Sequence, residues 1–195
     1  MPRWEQGSAD RLTKAALELF EEQGFENTSV VEIADRARVT TRTFFRYFPD
    51  KREVLFAESD RIRAALVRAI LDAPDVTEPL QVVTAVLAEF DWIGPGIALQ
   101  RRRHAVIAAN PGLLERDLIK QNDIAVEFIQ ALRRRGVDES TARLAARVGI
   151  QVFAAAYAQW VESDDGADLR NLADAAMALL QTLVPPDRAA PGPVE

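Results

Sequence analysis

The apolar residues of this chain recur with the period of an α-helix. Leu12, Ala15, Ala16, Leu19 and Phe20 stand at i, i+3, i+4, i+7 and i+8, a single stripe along a first helix from about Arg11 to Gln23. Alternation of β-branched residues is missing, and no Asn-Gly or similar dipeptide joins two alternating runs. The pattern predicts an all-α fold. Capping and breaking signals divide it into about nine helices. Gly24-Phe25 ends helix 1 with a left-handed stop and an apolar contact after it. Ser29 and Glu32 form a capping box for helix 2, whose core face is Val30, Ile33, Ala34 and Ala37. The connection Arg38-Val39-Thr40 leads into a short helix 3, about Thr41 to Phe48, which Pro49 terminates. Asp50 with Glu53 is a second capping-box candidate, opening a long helix 4 to about Leu71.

Further on, helix 5 covers about Leu80 to Ile93, stopped by Gly94-Pro95-Gly96, and helix 6 covers about Ile97 to Ala109. Asn110-Pro111 reads as cap and first turn of helix 7, which ends at Gly136. Asp138 caps helix 8, to about Glu162, and Asp168 opens helix 9, to about Leu183. Three segments follow: residues 1–52, a three-helix unit; residues 53–184, a larger helical body; and residues 185–195, a proline-rich tail expected to be disordered. The boundary lies inside helix 4, with no flexible linker.

Composition excludes several chemistries. There is no cysteine, so disulfides, thiolate metal sites and cysteine nucleophiles are out, which fits a reducing cytoplasmic setting. A single histidine, His104, rules out multi-histidine metal sites. No nucleophile–base pairing, metal spacing or phosphate loop is present, so no catalytic residues, no metal site and no cofactor are expected, and the chain does not read as an enzyme. No apolar run approaches the ~18 residues of a membrane span, and MPRWEQGSAD has no apolar core for a signal peptide.

The net charge is −6, which by itself argues against binding a polyanion. Its distribution argues otherwise. Residues 1–52 hold nine basic and nine acidic side chains, and within them residues 36–52 hold Arg36, Arg38, Arg42, Arg46, Lys51 and Arg52 against Asp50 alone. Two short helices joined by a three-residue turn in a three-helix unit form a helix-turn-helix, whose second helix enters the DNA major groove by its N-terminal end. Phe44, Phe48 and Val39 can face helices 1 and 2. Thr41, Arg42, Phe45 and Arg46 are then left for DNA. Arg42 has the reach to pair bidentately with guanine, while Thr41 and Thr43 can bond bases or phosphates. Thr40 lies where the turn enters helix 3. Thr28, Ser29 and Lys51 lie at the starts of helices 2 and 4, where amide groups suit phosphates. Arg36 and Arg52 read instead as salt-bridge partners.

The run TSVVEIADRARVTTRTFFRYFPDKREVLF resembles the DNA-binding domain of the tetracycline-repressor (TetR) family of bacterial transcriptional regulators, over about residues 9–56. RRRHAVIAANPGLLERDL resembles the middle of many actinobacterial members. The resemblance implies base contacts from Thr41, Arg42 and Thr43 and phosphate contacts from Thr28, Ser29, Tyr47 and Lys51. It further implies a homodimer through helices 8 and 9, a palindromic double-stranded DNA operator, and a small, hydrophobic effector held inside helices 4 to 8. Arg38 stands where the family usually has a turn glycine, and its charge can add a phosphate contact. Arg42 replaces a frequent glycine. Phe45 replaces a frequent tyrosine, so its ring is left for sugar or thymine methyl.

The body is read from less. Trp92, His104, Phe128 and Tyr157 are the candidate ligand-lining residues, though their spacing equally fits core. Arg101–Arg103 and Arg133–Arg135 fan over about 200° of helix and read as solvated faces, not a second nucleic-acid surface. Small residues Ala145, Gly149, Ala155 and Ala156 in helix 8, and Leu172, Ala176, Leu179 and Leu180 in helix 9, suggest the dimer bundle. A repressor released by a small ligand is the leading expectation. The alternative is a DNA-tethered protein whose body binds a partner protein.

Overall fold

The structure, a computed structural model, describes residues 3–92, 96–163 and 166–183. Among them the backbone forms nine α-helices and one 3-10 turn, with no strand. The helices are α1 (Arg3–Gln23), α2 (Val30–Arg36), α3 (Thr41–Tyr47), α4 (Ser59–Asp72), α5 (Pro79–Glu89), α6 (Ile97–Ala108), α7 (Pro111–Arg134), α8 (Glu139–Glu162) and α9 (Leu169–Leu183); the 3-10 turn is Glu53–Phe56. The expected tail, residues 185–195, lies outside the described residues. So does the Gly94-Pro95 part of the expected stop after the fifth helix. No helix among the described residues is long and apolar enough to cross a membrane.

Two hydrophobic clusters organise the chain. In the body, α8 runs through the middle and packs against α5, α7 and α9, with Ala142, Ala146, Ala156 and Phe153 facing inward. In the head, Leu12, Ala16, Ile33, Phe44 and Val54 are sealed from solvent. The head cluster is completed from the body: Val106 and Ile107 at the end of α6 and Leu113 at the start of α7 pack among the head residues.

Several elements differ from the sequence reading. α1 begins at Arg3, a stretch with no apolar stripe, and Ala9 packs against the head core. The long fourth helix is broken. Val54, Leu55 and Phe56 are all buried, and side chains take their carbonyls: Thr13 Oγ1 donates to Val54 (3.4 Å), Arg103 Nε to Leu55 (2.6 Å) and Ser59 Oγ to Phe56 (2.7 Å). Side chains that capture carbonyls compete with the i→i+4 ladder, so a turn forms and the helix restarts at Ser59. Asp50 does cap, accepting from the amides of Arg52 (2.7 Å) and Glu53 (3.2 Å), but Glu53 does not complete the box because its carboxylate turns to α7. α5 ends at Glu89, where Phe90 is extended and the Trp92 indole folds back to donate to the Leu87 carbonyl at 2.7 Å. Asn110 occupies the cap position of α7, yet its amide donates backwards to Val106 at 2.6 Å.

The small residues of α8 also have a different use. Ala145, Gly149 and Ala156 are buried within the chain, and only Ala155 of the expected set faces outward. A Cβ at Gly149 would lie 2.6 Å from Val83 Cγ1 and 3.0 Å from its Cβ, so glycine is what allows α5 to approach α8. Valine is stiff at χ1 and cannot swing aside. Gly149→Ala is therefore expected to destabilise the fold by about 1–3 kcal/mol, read from the midpoint of denaturant unfolding.

Candidate nucleic-acid interface

Gly24, at φ 87°, ends α1 in a left-handed turn that lets Phe25 fold its ring edge-on to Phe20, with centroids 5.0 Å apart. α2 then opens with the expected capping box. The Glu32 amide donates to Ser29 Oγ (3.2 Å), and the Ser29 amide and hydroxyl donate to Glu32 Oε2 (2.8 and 2.7 Å). These bonds from Ser29, the hydroxyl's first, hold the Glu32 carboxyl below its ordinary pKa.

The turn between α2 and α3 is a Schellman motif: Val39 N–H donates to Ala34 at 2.9 Å and Arg38 N–H to Asp35 at 3.0 Å. Its left-handed position is Arg38, at φ 56° the single non-glycine residue with positive φ among those described. Without a glycine, the turn holds a conformation that costs an L-residue about 1–2 kcal/mol. Thr40 caps α3, accepting from the Thr43 amide at 3.1 Å, and the two hydroxyls bond at 3.0 Å.

Inside α3 the expected division of faces holds. Phe44 and Phe48 are buried and Val39 is partly buried against the head core. Arg42, Phe45 and Arg46 are exposed, and Thr41 and Thr43 are half-buried at the edge. Arg46 donates to Tyr47 Oη at 3.0 Å and stacks over that ring at 4.9 Å.

The six basic residues divide by partner. Arg36 forms a bidentate pair with Glu22 (2.9 and 2.7 Å), holding that carboxyl below its ordinary pKa, and Arg52 pairs with Asp50 at 3.0 Å. Lys51 is also occupied: its ammonium donates to the carbonyls of Phe25 (2.7 Å), Thr28 (3.1 Å) and Glu26 (3.3 Å) and lies 4.3 Å from the Phe25 ring centroid. Among the described residues, no carboxylate pairs with Arg38, Arg42 or Arg46. Those three, with Thr41, Thr43 and Phe45, form the open face.

Thr28 departs from the expected phosphate role. It is 2% exposed, and its hydroxyl donates to the Gly24 carbonyl at 2.8 Å, closing the end of α1. Its side chain braces the turn and cannot reach DNA, whereas Ser29 beside it is exposed.

The aromatic residues of the body gather at one place, with one exception. Trp92 lies 5.4 Å from Phe153 and 5.8 Å from Tyr157, while His104 lies 6.2 Å from Tyr157. Gln100 links them, accepting from Tyr157 Oη at 3.1 Å and donating to the Trp92 carbonyl at 2.9 Å. Burial pushes the Tyr157 hydroxyl above its ordinary pKa. Phe128 is fully buried in the body core and makes no ring contact with the other three. Two open grooves lie elsewhere, one along α7 and one between α4 and α7.

The tie between head and body escaped the sequence reading. Arg102 pairs with Glu21 of α1, with Nε 2.8 Å from Oε1, and Arg103 reaches the Leu55 carbonyl with its guanidinium 5.2 Å from the Phe56 ring centroid. Arg101 donates to the Ser163 carbonyl at the end of α8. Glu53 receives Arg116 and, at 3.1 Å, Lys120, both from α7. The arginine run of α6 is thus no solvated face. The same fan that argues against one nucleic-acid patch sends each guanidinium to a different element.

A buried-core helix-turn-helix with an arginine-bearing outer face defines a DNA-binding protein. The model for bacterial regulatory proteins of the tetR family matches residues 12–57, the segment that holds the whole helix-turn-helix. It is 34% identical over 137 residues to the HTH-type transcriptional regulator TcmR of Streptomyces glaucescens, a match covering 66% of this chain and 61% of that protein. It is 41% identical over 46 residues to the HTH-type transcriptional regulator HbdR of Aromatoleum sp. (strain CIB), covering 24% and 20%. The chain therefore spans less than two thirds of the length of either curated relative. Among solved structures, the Thermus thermophilus FadR repressor in complex with lauroyl-CoA is 26% identical with a TM-score of 0.55, over 95% of this chain and 100% of that one. SmeT of Stenotrophomonas maltophilia, in complex with triclosan, has a TM-score of 0.60 at 20% identity, over 96% and 99%.

Two substitutions separate scaffold from contact. Arg38→Gly relieves the left-handed strain and is expected to raise stability by about 0.5–1 kcal/mol; a simultaneous fall in affinity for DNA would mark the guanidinium as a phosphate contact. Lys51→Met removes the clamp on the 25–28 carbonyls. It is expected to lower the melting temperature while leaving the slope of log affinity against log salt unchanged, since a lost phosphate contact would lower that slope by about one.

Proposed function

We propose that the protein is a sequence-specific transcriptional repressor, released from a palindromic operator by a small hydrophobic ligand. The observation that carries this reading is the outer face of α3: Arg42, Phe45 and Arg46 exposed on a helix whose other face is locked into the head core. A homodimer through α8 and α9 presents two copies of α3 to successive major grooves. Leu144 of α8 and Leu179 and Leu183 of α9 support this surface, since each leaves more than half its area in water. Thr41, Arg42 and Thr43 read bases. Ser29, Arg38, Thr40, Arg46 and Tyr47 face the backbone. No cofactor or catalytic step is involved, and the setting is the cytoplasm.

The aromatic group of Trp92, His104, Phe153 and Tyr157 is the ligand region in this reading. It abuts α6, and α6 holds the head through Arg102 and Arg103. A ligand acts only through different affinities for the DNA-competent and released states. A hundredfold loss of operator affinity needs about 2.8 kcal/mol of coupling, and by linkage DNA weakens ligand binding equally.

The second reading is a DNA-tethered partner-binding protein. It is favoured by the open groove on α7, whose lining includes Pro111, Leu114, Leu118 and Ile119, with the three larger side chains exposed.

Selection of bound fragments from the source genome, followed by affinity measurement across salt, tests the proposal. A short palindrome with a large specificity ratio and a steep salt slope is the expected result. Arg42→Ala is then expected to cost about 1–3 kcal/mol and to relax preference at one position per half-site. Equal weakening on all sequences would place Arg42 on phosphate. Recovery of no enriched site overturns the repressor reading in favour of the partner-binding one.

A further inference from the structure

Phe45 leaves 57% of its surface in water on the open cationic face of the molecule. Nothing in the head requires a large apolar ring there, because Phe44 and Phe48 already fill the core side of α3. The ring is nonetheless held in place. It stands edge-on to Phe44, with centroids 5.4 Å apart and planes at 81°, and Phe44 is itself immobilised by complete burial. An edge-on aromatic pair of this kind favours one orientation.

Along α3, Phe45 is four residues after Thr41 and three after Arg42, so the three side chains cover adjoining patches of one face. Side chains of a helix lean toward its N-terminus, which directs the ring toward the end of α3 that leads into the groove. Without a hydroxyl, the ring has no hydrogen bond to offer a phosphate or a polar base edge. In the major groove the base edges present donors, acceptors and one apolar group, the C5 methyl of thymine.

We infer that Phe45 is a specificity-determining residue that reads the methyl group of a thymine adjoining the base reached by Arg42. The inference rests on the DNA-binding reading above and adds to it a specified base at a second position in each half-site. Arg42 selects by hydrogen bonding and Phe45 by contact with a single methyl, so the two positions fail under different chemical changes.

The test uses the full-length protein and the operator recovered by genomic selection, with each thymine replaced in turn by deoxyuridine, which removes the methyl and keeps the pairing. The expected result is a loss of about fourfold at one symmetry-related position per half-site, the worth of one buried methyl, and about fifteenfold when both half-sites are changed. Phe45→Ala is expected to bind the thymine and uracil operators equally, while Phe45→Tyr, which keeps the ring, stays sensitive to the methyl. Arg42→Ala is expected to bind more weakly and still distinguish thymine from uracil. A wild-type protein indifferent to uracil at every position overturns the inference and leaves the DNA-binding reading intact. Methyl sensitivity that survives in Phe45→Ala also overturns it. If no operator is recovered, the DNA-binding reading falls and this inference falls with it.

Discussion

The burial of Val54, Leu55 and Phe56 governs how this molecule is put together. Three consecutive apolar residues cannot all face inward from a surface helix. Here they do so because α1 lies on one side and the α6–α7 elbow on the other. The head thereby takes part of its core from residues fifty positions further along the chain. It cannot tilt as a free unit, because Val106, Ile107 and Leu113 would have to leave its interior, at a cost of about 1.5–3 kcal/mol for each large side chain exposed. Movement of the recognition helix is therefore movement of α6 and α7 as well.

Charge follows the same economy. The cluster at 36–52 looks in the sequence like one basic patch, yet half of it serves the head. Arg36 and Arg52 neutralise acids, and Lys51 gathers three carbonyls of the loop between α1 and α2. What remains without a carboxylate partner on the outer face of the head is small and concentrated: Arg38, Arg42 and Arg46, beside one exposed ring. The excess of acid elsewhere in the chain discourages nonspecific contact with a polyanion.

Much of this architecture was legible in the residues. Caps at Ser29 and Asp138, the glycine stop at Gly24 and the faces of α3 depend on neighbours within four positions, and local patterning reports such neighbours well. Where partners are distant, the sequence was silent. Thr28 has the residue type of a phosphate contact, but the fold places its hydroxyl against the end of α1. Gly149 looked like a seam between subunits, whereas Val83, on another helix, needs the space. The break after Asp50 is set by Thr13 and Arg103, which lie on either side in sequence and meet only in the folded chain. Of the aromatic candidates, Trp92, His104 and Tyr157 converge while Phe128 joins the core, a distinction that spacing along one helix does not contain.

The arginine run of α6 has a mechanical meaning beyond its three bonds. Arg101 is anchored to the end of α8, Arg102 to α1 and Arg103 to the 3-10 turn, from adjacent positions on one rod. A rod pinned at three angles can neither roll nor slide without straining all three pins together. Any displacement of α6 is therefore shared with α8, α1 and the 3-10 turn.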